Sequence, residues 1–238
     1  MKKTLLLSLG VAMSLNAALS DSEILSMYAG APADVKISVA ERLPVDGLKG
    51  IEAVVLQISK DGFSQEEIIF TDNNVVFMDI VDPKNKLIYK EEIKGKRVIA
   101  NLAKAYKNES KDNIITIGND PAKPTVLVIT DAECPYCRQE LENIEENLKK
   151  QNIQIIMAGS IHGDRAHAKS ALIYKEVKSA KTDAEKIAIL RKYYAKDSKI
   201  TTADVNPAEL NAAKAVSEKY FNTGMGHVPY IIETSKLK

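Results

Sequence analysis

The sequence is poor in several residue types that usually indicate function. It has no tryptophan, two cysteines and three histidines among 238 residues. Its 33 basic and 32 acidic residues nearly cancel, leaving a formal charge of +1. Such a chain lacks the electrostatic footprint of a protein that binds nucleic acid or an acidic membrane surface, so we expect neither partner. Hydrophobic residues make up 45% of the chain, enough for one large or two small cored domains.

The N-terminus has the layout of a secretory signal peptide, which we place at residues 1–20. Lys2 and Lys3 precede an apolar core from Leu5 to Leu15, and small residues follow. The segment is short for a membrane span, although an uncleaved anchor is the alternative. The sequence has no second apolar stretch that could cross a bilayer. Removing residues 1–20 takes away two lysines and no acid, so the charge changes from +1 to −1. Export would place the protein in an oxidising compartment.

Residues 21–93 predict a small N-terminal domain made of one helix and an antiparallel sheet. The helix is expected at 21–29. Short segments rich in β-branched and aromatic residues follow, separated by turn residues. They predict strands at 35–39, 51–59, 66–72, 75–81 and 86–92. So small a sheet, with open strand edges, is expected to dimerise.

Residues 94–112 predict an amphipathic linker helix, with Val98, Leu102 and Tyr106 on one side. It either connects two domains or packs wholly into one of them. Residues 113–238 predict a second domain. Strands expected at 114–118, 125–130 and 153–159, with a helix after the second, form a βαβ unit with parallel strands at its centre.

The second domain also carries a helical insertion at about 162–223. Helices are predicted at 166–179, 183–194 and 207–221. Thr182 and Glu185 form a capping box for the second of them. Tyr193 and Tyr194 are expected in the core. A last strand follows Pro229.

The two cysteines lie at the strand-to-helix corner of the βαβ unit. Cys134 precedes Pro135, which suits the first helical position, and Cys137 lies on the apolar face of the helix. A structural disulfide here would close only a very short ring and stabilise little. A zinc site would need two more ligands, from His162, His167 and His227 or from carboxylates. A redox pair is the favoured interpretation.

The position of each cysteine suggests its role. A helix N-terminus stabilises an anion, so Cys134 is expected to be the attacking thiolate. Cys137 would then attack the mixed disulfide and release the substrate. Tyr136 adds no charge between the sulfurs, and Pro135 withholds a hydrogen-bond donor. Glu133 places a negative charge beside Cys134. How strongly this charge opposes the thiolate depends on the orientation of the Glu133 side chain.

His227 is a further candidate in the same site. It precedes Pro229 by two residues. If His227 lies near Cys134, its protonated form would stabilise the thiolate. His162 and His167 follow the second strand of the βαβ unit, near the edge where such a sheet binds ligands, but polar loop histidines are the favoured interpretation for both.

The segments TDAECPYCRQ and HVPYII, together with the domain layout, resemble the DsbC/DsbG family of periplasmic thiol:disulfide interchange proteins. The resemblance implies an α+β fold: a cystatin-like N-terminal dimerisation domain, a linker helix and a thioredoxin-like α/β domain with a helical insertion. It also implies a V-shaped periplasmic homodimer that acts on unfolded or misfolded secreted proteins, with no cofactor and no metal. A membrane thiol reductant would keep it reduced. Pro229 matches the family's cis-proline opposite the cysteines.

The sequence departs from the resemblance at three points. Val228 stands where the family's isomerases have threonine, as in DsbA-type oxidases, which a quinone-linked partner keeps oxidised. Val128 stands where thioredoxin has a buried acid, so another group or water must take the proton of Cys137. The family continues past the proline strand with a further strand and helix, so this sequence is truncated or its sheet is finished differently. The interpretations are therefore isomerase or reductase, dimeric oxidase, or a holdase chaperone.

Overall fold

The computed structural model describes residues 19–159 and 163–238. All but the last two residues of the predicted signal peptide lie outside the described residues. The described residues form an α+β structure with a four-stranded and a two-stranded antiparallel sheet in the N-terminal part and a mixed sheet in the C-terminal part. Within these ranges, no helix has both the length and the apolar character that a membrane span requires.

The N-terminal sheet contains four antiparallel strands in the order β1-β2-β3-β4. The N-terminal elements are α1 (Asp21–Ser26), β1 (Lys36–Pro44), β2 (Glu52–Lys60), β3 (Phe63–Thr71), β4 (Val76–Phe77), β5 (Val81–Asp82) and β6 (Leu87–Ile88). Successive side chains of a strand point to opposite faces, so β2 contributes to two cores. Val55 packs on the face of Phe70, whereas Leu56 packs on the face covered by Ile24 of α1.

The prediction of five N-terminal strands was wrong in its last two members. Of residues 75–81, only Val76–Phe77 and Val81 are in strands, and a two-stranded ladder pairs β5 with β6. Of residues 86–92, only Leu87–Ile88 form a strand, because helix α2 begins at Tyr89. Tyr89 and Ile93 are one helical turn apart and both pack on the N-terminal core. The strand was predicted from the β-branched and aromatic residues of this segment, whereas the packing of Tyr89 and Ile93 makes its second part helical.

Helix α2 (Tyr89–Lys107) contacts both cores. Its first turns pack Tyr89 and Ile93 on the N-terminal sheet, and its second half buries Val98 and Leu102 in the C-terminal core. Arg97 in the middle of α2 pairs with Glu66 of β3, Nε to Oε2 at 2.7 Å. The helix begins and ends earlier than the predicted 94–112, and a separate 3₁₀ turn covers Lys111–Asn113.

The C-terminal sheet has the strand order β10-β8-β9-β7. Its strands are β7 (Ile115–Ile117), β8 (Thr125–Thr130), β9 (Asn152–Met157) and β10 (Tyr230–Glu233). The predicted parallel pair at the centre is confirmed, with Val128 opposite Ile155. The outer strands β7 and β10 run antiparallel to their neighbours. After β10 a 3₁₀ turn, Thr234–Leu237, places Leu237 in the core.

Among the described residues, five α-helices accompany this sheet, and three of them form the predicted insertion. They are α3 (Pro135–Glu142), α4 (Ile144–Leu148), α5 (Asp164–Val177), α6 (Asp183–Tyr194) and α7 (Pro207–Phe221). The capping box of Thr182 and Glu185 at the start of α6 is confirmed. Gly159 lies against α5, so the end of β9 and the insertion pack closely. The insertion thereby brings α5 and α6 to the corner between β8 and α3.

Candidate functional site

The corner after β8 holds Cys134 at the N-cap of α3. The Asp131 carboxylate accepts a hydrogen bond from the Glu133 N–H at 2.8 Å, and the Asp131 carbonyl accepts one from the Cys134 N–H at 3.1 Å. These bonds fix the turn between strand and helix. Pro135 takes the first helical position, as predicted. Cys134 is therefore held where the helix dipole favours negative charge on its sulfur.

Cys134 faces the segment that precedes β10. Its thiol donates a hydrogen bond to the Val228 carbonyl, with Sγ and O 3.6 Å apart. The Val228–Pro229 peptide bond is cis, as the resemblance implied. Cys134 is only 5% exposed. The structure thus brings together Cys134, Val228 and Pro229, which are far apart in the sequence.

Cys137 lies one turn into α3 and is more deeply buried. Its exposed fraction is 1%. Its sulfur accepts a hydrogen bond from the Asp131 N–H at 3.4 Å. Burial raises the pKa of the Cys137 thiol to about 12, although hydrogen bonds from Thr130 and Asp131 act in the opposite direction. Cys137 is therefore a protonated thiol near neutral pH and must lose a proton before it can attack.

A pair of buried hydroxyls lies beside Cys137. Thr130 at the end of β8 and Tyr194 at the end of α6 are joined by a hydrogen bond of 2.9 Å between their hydroxyl oxygens. A cavity of about 20 Å³ lies between this pair and α3, and Val128, Cys137 and Glu140 contribute to its lining. That volume is sufficient for one water molecule. Polar groups are thus available near the Cys137 thiol, although Val128 stands at the position where thioredoxin has a buried acid.

Tyr194 was predicted to be a core residue and is buried, at 4% exposed. That the hydroxyl of Tyr194 contributes to the site was not predicted from the sequence. A buried tyrosine normally needs a partner for its hydroxyl, which was the available signal. The sequence could not identify the partner, because Thr130 and Tyr194 are 64 residues apart.

Glu133 turns its carboxylate towards helix α5. Its Oε1 lies 2.6 Å from Nζ of Lys169 and 3.2 Å from Nε of Arg165. Lys169 is fully buried, with 0% of the residue exposed. Neither basic residue was identified from the sequence. The burial of Lys169, which its neighbours Ala168 and Ser170 share, is seen only in the structure.

The histidines are arranged differently from the prediction. His227 is exposed and its ring contacts that of Tyr230, with centroids 5.5 Å apart. No hydrogen bond or ion pair joins His227 to Cys134 in the described parts of the chain. His167 is not a loop residue: it lies in α5, is 7% exposed, and its burial lowers its pKa. His162 lies outside the described residues.

The zinc interpretation gains no ligand set from the part of the chain that the structure describes. Within 19–159 and 163–238, no group of three or more histidine, cysteine, aspartate or glutamate side chains could hold a metal ion. Cys134 is at the N-cap of α3 and Cys137 is in its first turn.

The surface around Cys134 carries exposed apolar side chains. Tyr136, between the cysteines, is 70% exposed, and Ile231 on β10 is 45% exposed. Pro135 is also exposed. Tyr136 lies between the two cysteines, and Ile231 follows Pro229 by two residues.

A parallel strand pair, a helix that starts with C-x-x-C, and a cis-proline segment facing the first cysteine define a thioredoxin-like domain. The structure resembles that of Helicobacter pylori DsbG, with a TM-score of 0.52, 19% sequence identity, and coverage of 90% of this chain and 98% of that one. At this identity the similarity establishes the fold: a DsbG-like α+β structure.

Two further solved structures have lower TM-scores. A linker-deletion variant of Proteus mirabilis ScsC has a TM-score of 0.46 and 19% identity, covering 60% of this chain and 77% of that one. The thiol-disulfide exchange protein alpha-DsbA2 from Wolbachia pipientis has a TM-score of 0.41 and 12% identity, covering 60% and 86%. No protein-family model matches the sequence. No curated protein matches it significantly either.

The high pKa of Cys137 predicts slow alkylation of this thiol. In a Cys134→Ser variant the burial that is the largest cause of the raised pKa remains, so the Cys137 thiol should be mainly protonated at about pH 8. We expect iodoacetamide to modify it more than about tenfold more slowly than a free cysteine. Mass spectrometry over time measures the rate. The same variant in urea is the control and should react at the ordinary rate, so equal rates in folded and unfolded protein would contradict the assignment.

Proposed function

We propose that this protein is a thiol:disulfide oxidoreductase of secreted proteins, acting as a disulfide isomerase or reductase through Cys134 and Cys137. The observation that carries the proposal is the asymmetry of the pair. Cys134 lies at a helix N-terminus facing Val228, whereas Cys137 is buried with a raised pKa. Cys134 is therefore suited to attack a substrate disulfide, whereas Cys137 stays protonated until it attacks the mixed disulfide.

The proposed reaction begins with the Cys134 thiolate. It attacks one sulfur of a substrate disulfide, forming a mixed disulfide and releasing the other substrate sulfur as a thiolate, which takes up a proton. In isomerisation, another substrate thiolate attacks the mixed disulfide and frees Cys134. In reduction, Cys137 loses its proton and attacks the Cys134 sulfur. The second substrate sulfur then leaves, and two electrons have passed to the substrate.

Substrate recognition is proposed at the exposed apolar side chains beside Cys134. Tyr136 and Ile231 offer contacts that do not depend on a particular sequence. Val228 presents its carbonyl next to the sulfur, and Pro229 follows it. Such a surface suits exposed apolar segments of unfolded or misfolded proteins. His227 and Tyr230 form a ring pair at its edge.

The remaining parts of the proposal concern location and partners. A signal peptide at residues 1–20 and a redox pair fit the periplasm, where a membrane thiol reductant would return the disulfide to two thiols. Val228 is the observation that favours a second candidate, a dimeric DsbA-like oxidase served by a quinone-linked oxidant. A holdase chaperone would use the same apolar surface without the thiols.

The activity is tested with the mature protein and its Cys134→Ser variant. We expect the wild type to reduce insulin in the presence of dithiothreitol and to reactivate scrambled ribonuclease, and the variant to lose both activities. Cys137→Ser is the matched variant and should keep part of the isomerisation, because substrate thiolates can free Cys134. Full activity of Cys134→Ser would contradict the proposal.

The direction of electron flow is decided by the redox state in cells. Thiol trapping of the wild type should find Cys134 and Cys137 mainly reduced. Mainly oxidised protein would contradict the isomerase assignment and support the oxidase. Prevention of aggregation that survives Cys134→Ser, without any thiol activity in the wild type, would support the holdase instead.

The N-terminal sheet is the proposed dimerisation surface. Strand β1 has no partner on its outer side within the described residues, and β4 is only two residues long. Val75, Met78 and Val81 near β4 are about half exposed, at 48%, 57% and 58%. Strand edges and exposed apolar side chains together favour association with a second copy.

Sedimentation of the mature protein at micromolar concentration tests the dimer. We expect a sedimentation coefficient that corresponds to two chains, and a shift to one chain when Met78 and Val81 are both changed to lysine. Tyr136→Lys, an exposed apolar residue of the C-terminal part, is the control and should leave the dimer intact. A monomeric wild type would contradict the proposal.

A further inference from the structure

A fully buried lysine lies close to the residue that precedes Cys134. The Lys169 side chain is 1% exposed and its Nζ is 2.6 Å from Oε1 of Glu133. The contact is an ion pair without the angles of a directed hydrogen bond. An ammonium group is costly to bury unless a negative charge compensates it. Glu133 is the acid with which Lys169 pairs in the described ranges.

Glu133 is in turn the charge closest along the chain to Cys134. Its backbone N–H is tied to Asp131, and its carboxylate is directed to Lys169 and Arg165 on α5. Lys169 is buried, whereas the Arg165 side chain is 44% exposed. Water screens the exposed partner more strongly than the buried one, so Lys169 is the stronger counter-charge.

We propose that Lys169 is a positioning residue: it holds and neutralises Glu133, and it thereby keeps the Cys134 thiolate stable enough to act. The inference rests on the proposed function, because it concerns the reactivity of the attacking sulfur. Without Lys169, the negative charge of Glu133 would oppose the thiolate that the helix N-terminus favours.

The insertion helix α5 thus contributes to the chemistry of the corner as well as to packing. Lys169 is 36 positions away from Glu133 in sequence, and only the folding of α5 onto the corner joins them. Cys137 is replaced by serine in every protein of the test. The other charged or titratable side chains of the corner and of the elements that meet there stay unchanged: Asp131, Arg138, Arg165, His167, Tyr194, His227 and Tyr230.

The test measures how fast iodoacetamide alkylates Cys134 as a function of pH, in a Cys137→Ser background where one thiol remains. We expect Lys169→Met to move the midpoint of the profile upward by about one pH unit, which lowers the rate below the midpoint about tenfold. Methionine keeps the length and apolar stem of lysine without its charge. Thermal melts show whether each variant is folded.

The decisive variant combines Lys169→Met with Glu133→Gln. If Lys169 acts by neutralising Glu133, removing both charges returns the midpoint close to the parent value. A role of Lys169 in packing alone would leave the shift in place. An unchanged midpoint in Lys169→Met, or the same shift in the double variant, would overturn the inference.

Two further variants complete the design. Lys175→Met is the matched control: it removes a lysine of the same helix that pairs with Glu209 at 3.1 Å, and it should leave the profile unchanged.

If Lys169→Met does not fold, the Glu133→Gln variant alone still tests the inference. It should move the midpoint of the Cys134 profile downward, because Lys169 and Arg165 lose the negative charge of Glu133 and their positive charges then favour the thiolate. An unchanged midpoint would overturn the inference. Failure of the proposed function is seen separately, as absence of insulin reduction by the wild type.

Discussion

The structure depends on one placement: the sulfur of Cys134 at the start of α3, opposite the Val228 carbonyl. Strand β8 carries the chain to this point, and the Asp131 turn ends the strand and starts the helix. On the other side of the sulfur lies the segment before β10, whose Val228 carbonyl oxygen is 3.6 Å from Sγ of Cys134. At this place the helix N-terminus favours the thiolate, whereas the Val228 carbonyl accepts a hydrogen bond from the protonated thiol. The other features of the site can be understood by what they add to this placement.

The two sulfurs lie in different environments although they share one helical turn. Cys137 is within the apolar interior, where burial raises its pKa, and the Thr130 and Tyr194 hydroxyls are the polar groups beside it. Near Cys134 the charge of Glu133 is matched by basic groups from α5. The insertion helices α5 and α6 therefore supply groups to both sulfurs. This division suits a pair in which the sulfurs act in turn.

Local patterns predicted those parts of the molecule that local physics decides. The apolar run of β8, proline at the first position of α3 and the capping box at Thr182 each follow from residues close together in sequence, and each is present. The spacing of Cys137 correctly placed it on the buried face of α3. Within the resemblance, the cis bond before Pro229 was anticipated from HVPYII.

Other parts depend on contacts between distant segments, and local patterns do not contain them. Only Leu87–Ile88 of the predicted strand at 86–92 is a strand, because Tyr89 and Ile93 pack on the N-terminal sheet as part of helix α2. Lys169 was missed because its partner Glu133 lies in another element. His167 was interpreted as a polar loop histidine although the predicted helix at 166–179 includes it, and the structure buries its side chain in α5. In each case tertiary packing decided the outcome.

The most direct test of the account is to trap the reaction at its first step. In cells that export the protein, Cys137→Ser should accumulate mixed disulfides with secreted proteins, all joined through Cys134 and all dissolved by a reductant. Cys134→Ser should accumulate none, because the buried thiol of Cys137 is protonated and inaccessible. Mixed disulfides through Cys137 in the Cys134→Ser protein, or none at all in Cys137→Ser, would contradict the account.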